Sequence, residues 1–152
     1  MLRQIPRLRA VQEVLLICAT NNIRLLNPAL LRPGRFDYVL PIGPLDVESR
    51  NAIFQMYLGR MNVGEVDLSL VSSRTRYYTP ADIQAVCTQA AQAAFQKEIS
   101  EGVEQRIGTQ DLLQAIEAHR PTTTPEQLKE FAEDISRFCR ADYCALLSEP
   151  PQ

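Results

Sequence analysis

The chain has no tryptophan, a single histidine, and only two lysines among its sixteen basic residues, and each scarcity removes a class of function. With His119 alone, neither a serine or cysteine triad with a histidine base nor a histidine-rich metal centre is supported. The four cysteines, at 18, 87, 139 and 144, form no CxxC pair and have no histidines at zinc spacing, so reduced thiols are expected and no metal site. No apolar run approaches the roughly 20 residues that span a bilayer. The opening MLRQIPRLRA lacks the apolar core of a secretory signal, so a cytoplasmic protein with no membrane segment is expected. A GxxxxGK[ST] phosphate loop is absent too, and no apolar run ends in the paired acids that hold Mg²⁺ beside a phosphate.

What is present is the composition of an ordinary globular protein, 45% hydrophobic and 22% charged over 152 residues. The net charge of −2 is unevenly spread. Residues 1–60 carry eight arginines against four acids (Glu13, Asp37, Asp46, Glu48), whereas residues 61–152 carry eight bases against fourteen acids. The basic half does not look like a nucleic-acid surface, because its charges are spaced out and no aromatic platform for stacking bases accompanies them. Such a polarity suits head-to-tail packing against a like subunit.

VLLICA (Val14–Ala19) is a short continuous apolar run, as in a strand buried on both faces of a parallel sheet, and it ends in Thr20-Asn21-Asn22. YVLPI (Tyr38–Ile42) reads as a second strand at an edge or a strand end. From Asp46 onward the pattern is helical. Asp46 caps a segment with Ile53, Phe54, Tyr57 and Leu58 at helical spacing, and a shorter helix covers Asp67 to Ser73. Thr79-Pro80-Ala81-Asp82 combines a cap, an N1 proline and an acid at N3, and opens a helix with Ile83, Val86, Cys87, Ala90, Ala91, Ala94 and Phe95 on one stripe. Thr109 opens another helix, with Leu112, Leu113 and Ile116 inward. Thr124-Pro125-Glu126-Gln127 opens the last, with Leu128, Phe131, Ile135 and Phe138 on one face.

Between the expected strands lies NPALLRPGRFD, Asn27 to Asp37. Asn27-Pro28 is a helix start that Pro33 soon stops, and Pro33-Gly34 makes a stiff turn with an arginine on each side. Arg32 and Arg35 are thus presented on one rigid loop, a candidate reader of phosphate or carboxylate. Taken by itself, the segment reads more readily as a surface pair neutralised by Asp37 or Glu48.

In their order, ICATNNIRLLNPALLRPGRFDYVLPIGPLDVESRNAIFQMYL, TPADIQAVCTQAAQAAF, IGTQDLLQAI and PTTTPEQLKEF resemble the second half of an AAA-type (AAA+) ATPase module, over about residues 12 to 140. The relatives most like it are the AAA group that includes protein unfoldases and membrane-bound proteases. The resemblance implies an α/β piece, the end of a parallel P-loop-type sheet of about two strands (1–44), then an all-α helical lid bundle (45–147) and a tail (148–152), mostly α in total. It gives Asn21 the place of sensor 1, near the γ-phosphate, and makes Arg32 and Arg35 the paired arginine fingers that reach a neighbouring subunit's nucleotide. Pro80-Ala81 stands where relatives carry glycine-alanine against the adenine; the alanine agrees and the proline departs. Tyr57 stands where many relatives have a histidine close to the nucleotide, and is otherwise a core tyrosine. No arginine of the sensor 2 type is seen, as in that AAA group.

The resemblance further implies ATP and Mg²⁺ as cofactors of the complete module, with neither expected to bind tightly to this chain alone. The implied partners are neighbouring AAA subunits in a homo-oligomer, usually a hexamer, and a protein substrate; nucleic acid is not expected. In the complete ring ATP hydrolysis would be coupled to protein remodelling or unfolding, and the chain by itself, lacking the phosphate loop and metal acids, is expected to be inactive. The competing expectation is a non-catalytic helical module that docks on a partner or an ATPase ring. Because two strands do not make a stable sheet by themselves, the isolated chain should self-associate, visible as oligomers in light scattering. A monodisperse monomer would contradict that expectation.

Overall fold

A computed structural model describes residues 14–139 of the chain. By their internal contacts the residues fall into two units, one holding those up to Ile42 together with those from Glu130 on, the other Gly43–Lys129. The expected tail at 148–152 and Cys144 lie outside the described residues.

In the second unit the helices start where the sequence caps them. Helix α1 is Val47–Leu58, with the Asp46 carboxylate accepting from Ser49 N at 2.6 Å. Helix α2 is Leu68–Ser73, capped by Asp67. Helix α3, Pro80–Glu101, opens on a full capping box: Asp82 N donates to Thr79 Oγ1, and Thr79 N donates back to Asp82 Oδ2 at 2.8 Å. It ends at Gly102, whose φ of 69° is open to glycine and strained for other residues. Helix α4 is Thr109–Ala118 and α5 is Pro125–Phe138. Gly108 has no side chain to cap α4, so Asp111 accepts from Gly108 N instead and also holds Lys97 Nζ at 2.7 Å.

Helix α3 is the axis of this unit and packs on α1 and α4, while α2 packs on α1 and α4. Ile83, Val86, Cys87, Ala90 and Ala94 form its buried stripe, facing Phe54, Val71 and Leu112. The alanines let the partner helices approach closely. Ala91 and Phe95 flank the stripe rather than completing it: Ala91 is half-buried and Phe95 is 61% exposed, because one residue past Ala94 is a rotation of about 100° away from the core line. A two-residue parallel bridge, Val63 to Ile107, ties the α1–α2 connection to the loop before α4.

Arg50 is the exception in this core. It is 4% exposed and faces no carboxylate at ion-pair distance among the described residues; its guanidinium donates instead to Ser72 O through Nε (3.3 Å) and Nη2 (3.1 Å), and to Leu45 O through Nη1 (2.6 Å). Ser72 lies in the last turn of α2, where carbonyls lack helical partners and the helix dipole favours a cation. Burial holds the Arg50 pKa below its usual value.

In the first unit the short helical turns Ile23–Leu25 and Pro28–Leu31 are both 3-10, capped by Asn22 and Asn27. Arg24 donates to Asp134 at 2.6 Å and reaches Glu133 and the Glu130 carbonyl in the part of α5 that belongs to this unit. The segments 14–19 and 38–42, expected as strands, carry no ladder here. A strand is defined by bonds to a neighbour, and neither segment has one among the described residues, so Leu15 (83%) and Ile42 (92%) stay exposed. Among the described residues no helix is long and apolar enough to cross a membrane.

Replacing Arg50 with alanine removes its bonds to the Leu45 and Ser72 carbonyls, of which Ser72 O keeps Thr75 N and Oγ1 as donors, and should cost about 2 kcal/mol in urea unfolding. Lysine should recover only part of this, since one ammonium does not reproduce the fork. A midpoint unchanged in Arg50→Ala would contradict the structural role given to this arginine.

Candidate functional site

The candidate residues fall into both units: Asn21, Arg32 and Arg35 in the first, Tyr57, Pro80 and Ala81 in the second. Within the first, the loop from Asn27 to Asp37 is pinned by bonds among its own residues. The Asn27 carboxamide accepts from Ala29 N at 2.9 Å, and Leu30 N donates to Asn27 O at 2.8 Å. Arg35 N donates to Arg32 O at 3.2 Å, closing a turn with proline second and Gly34, at φ 88°, third, the pattern of a type II turn. A Cβ at Gly34 would meet nothing within 4 Å, so the conformation alone calls for glycine. Asp37 Oδ1 accepts from Gly34 N at 2.8 Å, and Phe36 N donates to Leu30 O at 3.1 Å.

The outcome for the arginines is unequal. Arg32 is exposed, whereas Arg35 is half-buried and donates through Nη1 to Ala29 O at 2.6 Å. Neither forms an ion pair with Asp37 or Glu48 among the described residues. Asn21 is exposed just past the VLLICA segment; its neighbour Asn22 is the one that caps, accepting from Arg24 N at 3.0 Å.

In the second unit Pro80 and Ala81 occupy the exposed first turn of α3. Ala81 and Gln84 begin an open groove that runs along this helix past Ala85, Thr88, Gln89 and Gln92. The Tyr57 hydroxyl stands 3.4 Å from Gln84 Oε1, while its ring packs against the core. Tyr57 therefore borders the same patch as Ala81, with an apolar body inside and a polar tip outside.

A cluster that sequence reading did not assemble fixes this end of α3. Asp82, 3% exposed, accepts from Thr79 N and Oγ1, from Thr122 N and Oγ1, and pairs with His119 Nε2 at 3.0 Å. The Tyr78 hydroxyl bonds to the Ile116 and His119 carbonyls, both at 3.0 Å, and the two rings meet edge to face. Burial alone would raise the Asp82 pKa, but the donors from His119, Thr122 and Thr79 outweigh it and hold the carboxyl well below the ordinary carboxylate range. The capping-box signal revealed Asp82; nothing in the local sequence tied it to His119, 37 residues on.

Residues 1–44 match the family described as ATPase family associated with various cellular activities (AAA), and residues 65–110 match the AAA+ lid domain. The chain is 30% identical to a Cell division cycle protein 48 homolog of Archaeoglobus fulgidus over 92% of its own length and 21% of that protein. It is 37% identical to a Proteasome-activating nucleotidase of Saccharolobus solfataricus over 83% of its own length and 31% of that protein. The chain thus spans a fifth to a third of these relatives. Among solved structures, the FIGL-1 AAA domain superposes with a TM-score of 0.72 at 26% identity, covering 80% of this chain and 43% of that one. The same domain in complex with ADP gives 0.70.

Asp82 has its folded-state pKa depressed, so the stability it contributes is present above the ordinary carboxylate range and lost as pH falls through that range toward the folded value. Asp82→Asn should cost about 2 kcal/mol at neutral pH and should flatten the acid limb of stability against pH. Parallel curves for wild type and Asp82→Asn would show that this carboxylate is not the group responsible.

Proposed function

The chain belongs to the AAA family of ATPases, and we propose that it supplies the sensor, finger and lid portion of a ring whose ATP hydrolysis drives remodelling or unfolding of protein substrates. In this reading the residues up to about 44 end the nucleotide-binding subdomain and those from 45 form the lid. The observation that carries it is the Arg32-Pro33-Gly34-Arg35 turn, which holds an exposed, always-charged fork on a loop closed by its own hydrogen bonds. Such a group costs little reorganisation when an anion arrives, which is what stabilising developing charge requires.

ATP and Mg²⁺ are the cofactors of the proposed reaction, and this chain's own residues do not fit them as a complete site. The sequence has no GxxxxGK[ST] stretch, and among the described residues no three His, Cys, Asp or Glu side chains gather as a metal site. The chain's contribution is to act on a nucleotide held elsewhere. Arg32 and Arg35 would belong to the site of an adjacent subunit in a ring, six-membered as in the relatives, with the charge of the phosphates drawing the guanidinium in. Asn21 would orient water, since a carboxamide both donates to an oxyanion and accepts from a water proton. Tyr57, Pro80 and Ala81 would border the base. An ADP-bound FIGL-1 AAA domain and a Proteasome-activating nucleotidase among the similar proteins support a nucleotide-handling, protein-directed role.

The test joins the chain to a segment carrying a phosphate loop and metal acids, such as that of the Saccharolobus nucleotidase, and follows phosphate release. Turnover should appear only in the joined protein, and Arg32→Ala should lower kcat by about 10³ or more with nucleotide binding retained. Asn21→Ala should also lower kcat. Turnover indifferent to both substitutions would leave the chain as a non-catalytic helical module docking on a partner.

A further inference from the structure

The far end of α3 departs from the rules that the rest of the helix obeys. Phe95 (61%), Ile99 (68%) and Val103 (61%) are the three most exposed large hydrophobic side chains described in Gly43–Lys129, and they follow one another at four-residue steps toward and past the helix end. Beside them lies a groove of about 250 Å³, with the buried Ala94 and Ile107, the half-buried Met61 and Ala91 and the exposed Phe95 in its lining. The charge here is also of the unfavourable sign. A helix C-terminus favours cations, yet the last turn of α3 has no basic residue and carries Glu98 and Glu101, with Glu104 just beyond. Among the described residues these carboxylates meet only neutral donors: Gln105 N on Glu98 at 3.2 Å, the Gln105 carboxamide on Glu101 at 3.0 Å, and the Asn62 carboxamide on Glu104 at 2.7 Å. Lys97, close by in sequence, is held by Asp111 at 2.7 Å, and Arg106 does not line the groove.

Exposed apolar side chains and acids set against the helix dipole both work against the isolated fold, and local rules that fail together mark a surface that another molecule completes. We infer that the C-terminal end of α3 is a docking surface for a segment of a partner protein that carries one large apolar side chain beside lysine or arginine. The apolar side chain enters the groove next to Phe95, and the basic group lies against Glu98 and Glu101, where the end of the helix adds its own negative charge. A phosphate-bearing partner, nucleic acid or lipid, would meet three carboxylates with no cation opposite them. A small organic ligand fits less well, since the groove is below the roughly 300 Å³ at which such sites begin, and Ile99 and Val103 continue the apolar line beyond it. Three side chains and one groove make a contact of the transient size class. The surface shares no residue with the nucleotide reading above and does not rest on it.

The probe is a fluorescein-labelled peptide with a central Leu-Phe pair between lysines, titrated with the full chain at low salt and followed by anisotropy. A Kd of about 10 to 100 μM is expected, and Phe95→Ala should weaken it about tenfold. Glu101→Lys should weaken binding about tenfold as well, and added salt should weaken binding to the wild type more than to Glu101→Lys. The same Glu101→Lys should raise the melting midpoint of the free chain by about 2 °C, because it removes an acid from a helix end that favours a cation. A lowered midpoint would show that Glu101 serves the fold, and the docking reading would fail. Absence of binding, binding unchanged by Phe95→Ala, or equal binding of a peptide with serines in place of Leu-Phe would each overturn the docking surface. Self-association that Phe95→Ala abolishes, without peptide binding, would overturn it in favour of a contact between copies of this chain.

Discussion

The lid unit depends on one buried carboxylate. Asp82 is almost fully removed from water, and an ion in that position is tolerated only when its lone pairs are met from several directions. Thr79 meets it from the turn before α3, His119 from the end of α4, and Thr122 from the link that leads to α5. Each of those connections would otherwise be a loop free to drift. Because a misplaced partner would leave the charge unpaired in a low-dielectric site, the cluster specifies the relative placement of the α3 start and the α4 end more sharply than the surrounding aliphatic packing does. Pro80 and Ala81 sit directly on this foundation, as does the first residue of the groove that runs along α3.

The arginines show the complementary constraint, in which acceptors fixed by the fold, carbonyls for two of them and acids for a third, decide where a cation rests. Arg50 ends on the last turn of α2, Arg35 on the Ala29 carbonyl, and Arg24 on the acids of α5. These three are absorbed into the fold for different reasons, and none of them is a free charge. Arg32 differs because the turn that carries it has already satisfied its own backbone: the Arg32 carbonyl accepts from Arg35 N, and the Gly34 amide is taken by Asp37. The loop therefore leaves exposed a side chain that it does not need for its own stability.

What was legible in the sequence was whatever local chemistry decides. Asn27, Asp46 and Thr79 all cap as read, because an N-cap bond spans only two or three residues and its signal is contained in them. The α3 stripe was legible for the same reason, through a period that repeats along one helix. The misplaced residue was Phe95, at the edge of that stripe, where pattern counting does not resolve the neighbour that is absent. The pairing of Asp82 with His119 and the burial of Arg50 are contacts between distant segments, and neither residue type announces it: His119 was read only for what one histidine excludes, and Arg50 only as part of a basic surplus. The unequal burial of Arg32 and Arg35 was hidden as well, since their symmetric placement about Pro-Gly suggests equal exposure.

The strands and the turn illustrate why parts of one unit differ in self-sufficiency. VLLICA has the composition of a buried strand and YVLPI that of an edge or a strand end, yet a ladder is made of bonds to another segment, and composition creates a demand for a partner without supplying one. The loop between them has no such requirement. Its caps, its turn bond, the Asp37 anchor and the Arg35 closure all lie between residues 27 and 37. A geometry closed over eleven residues does not wait for the ladder that the flanking segments lack among the described residues, so the presentation of Arg32 is a property of the loop and not of a completed sheet. For a group whose proposed task is to meet a charge on another molecule, that independence has a physical use: the backbone that carries the side chain is fixed before any neighbour arrives, and the encounter has only the side chain to order.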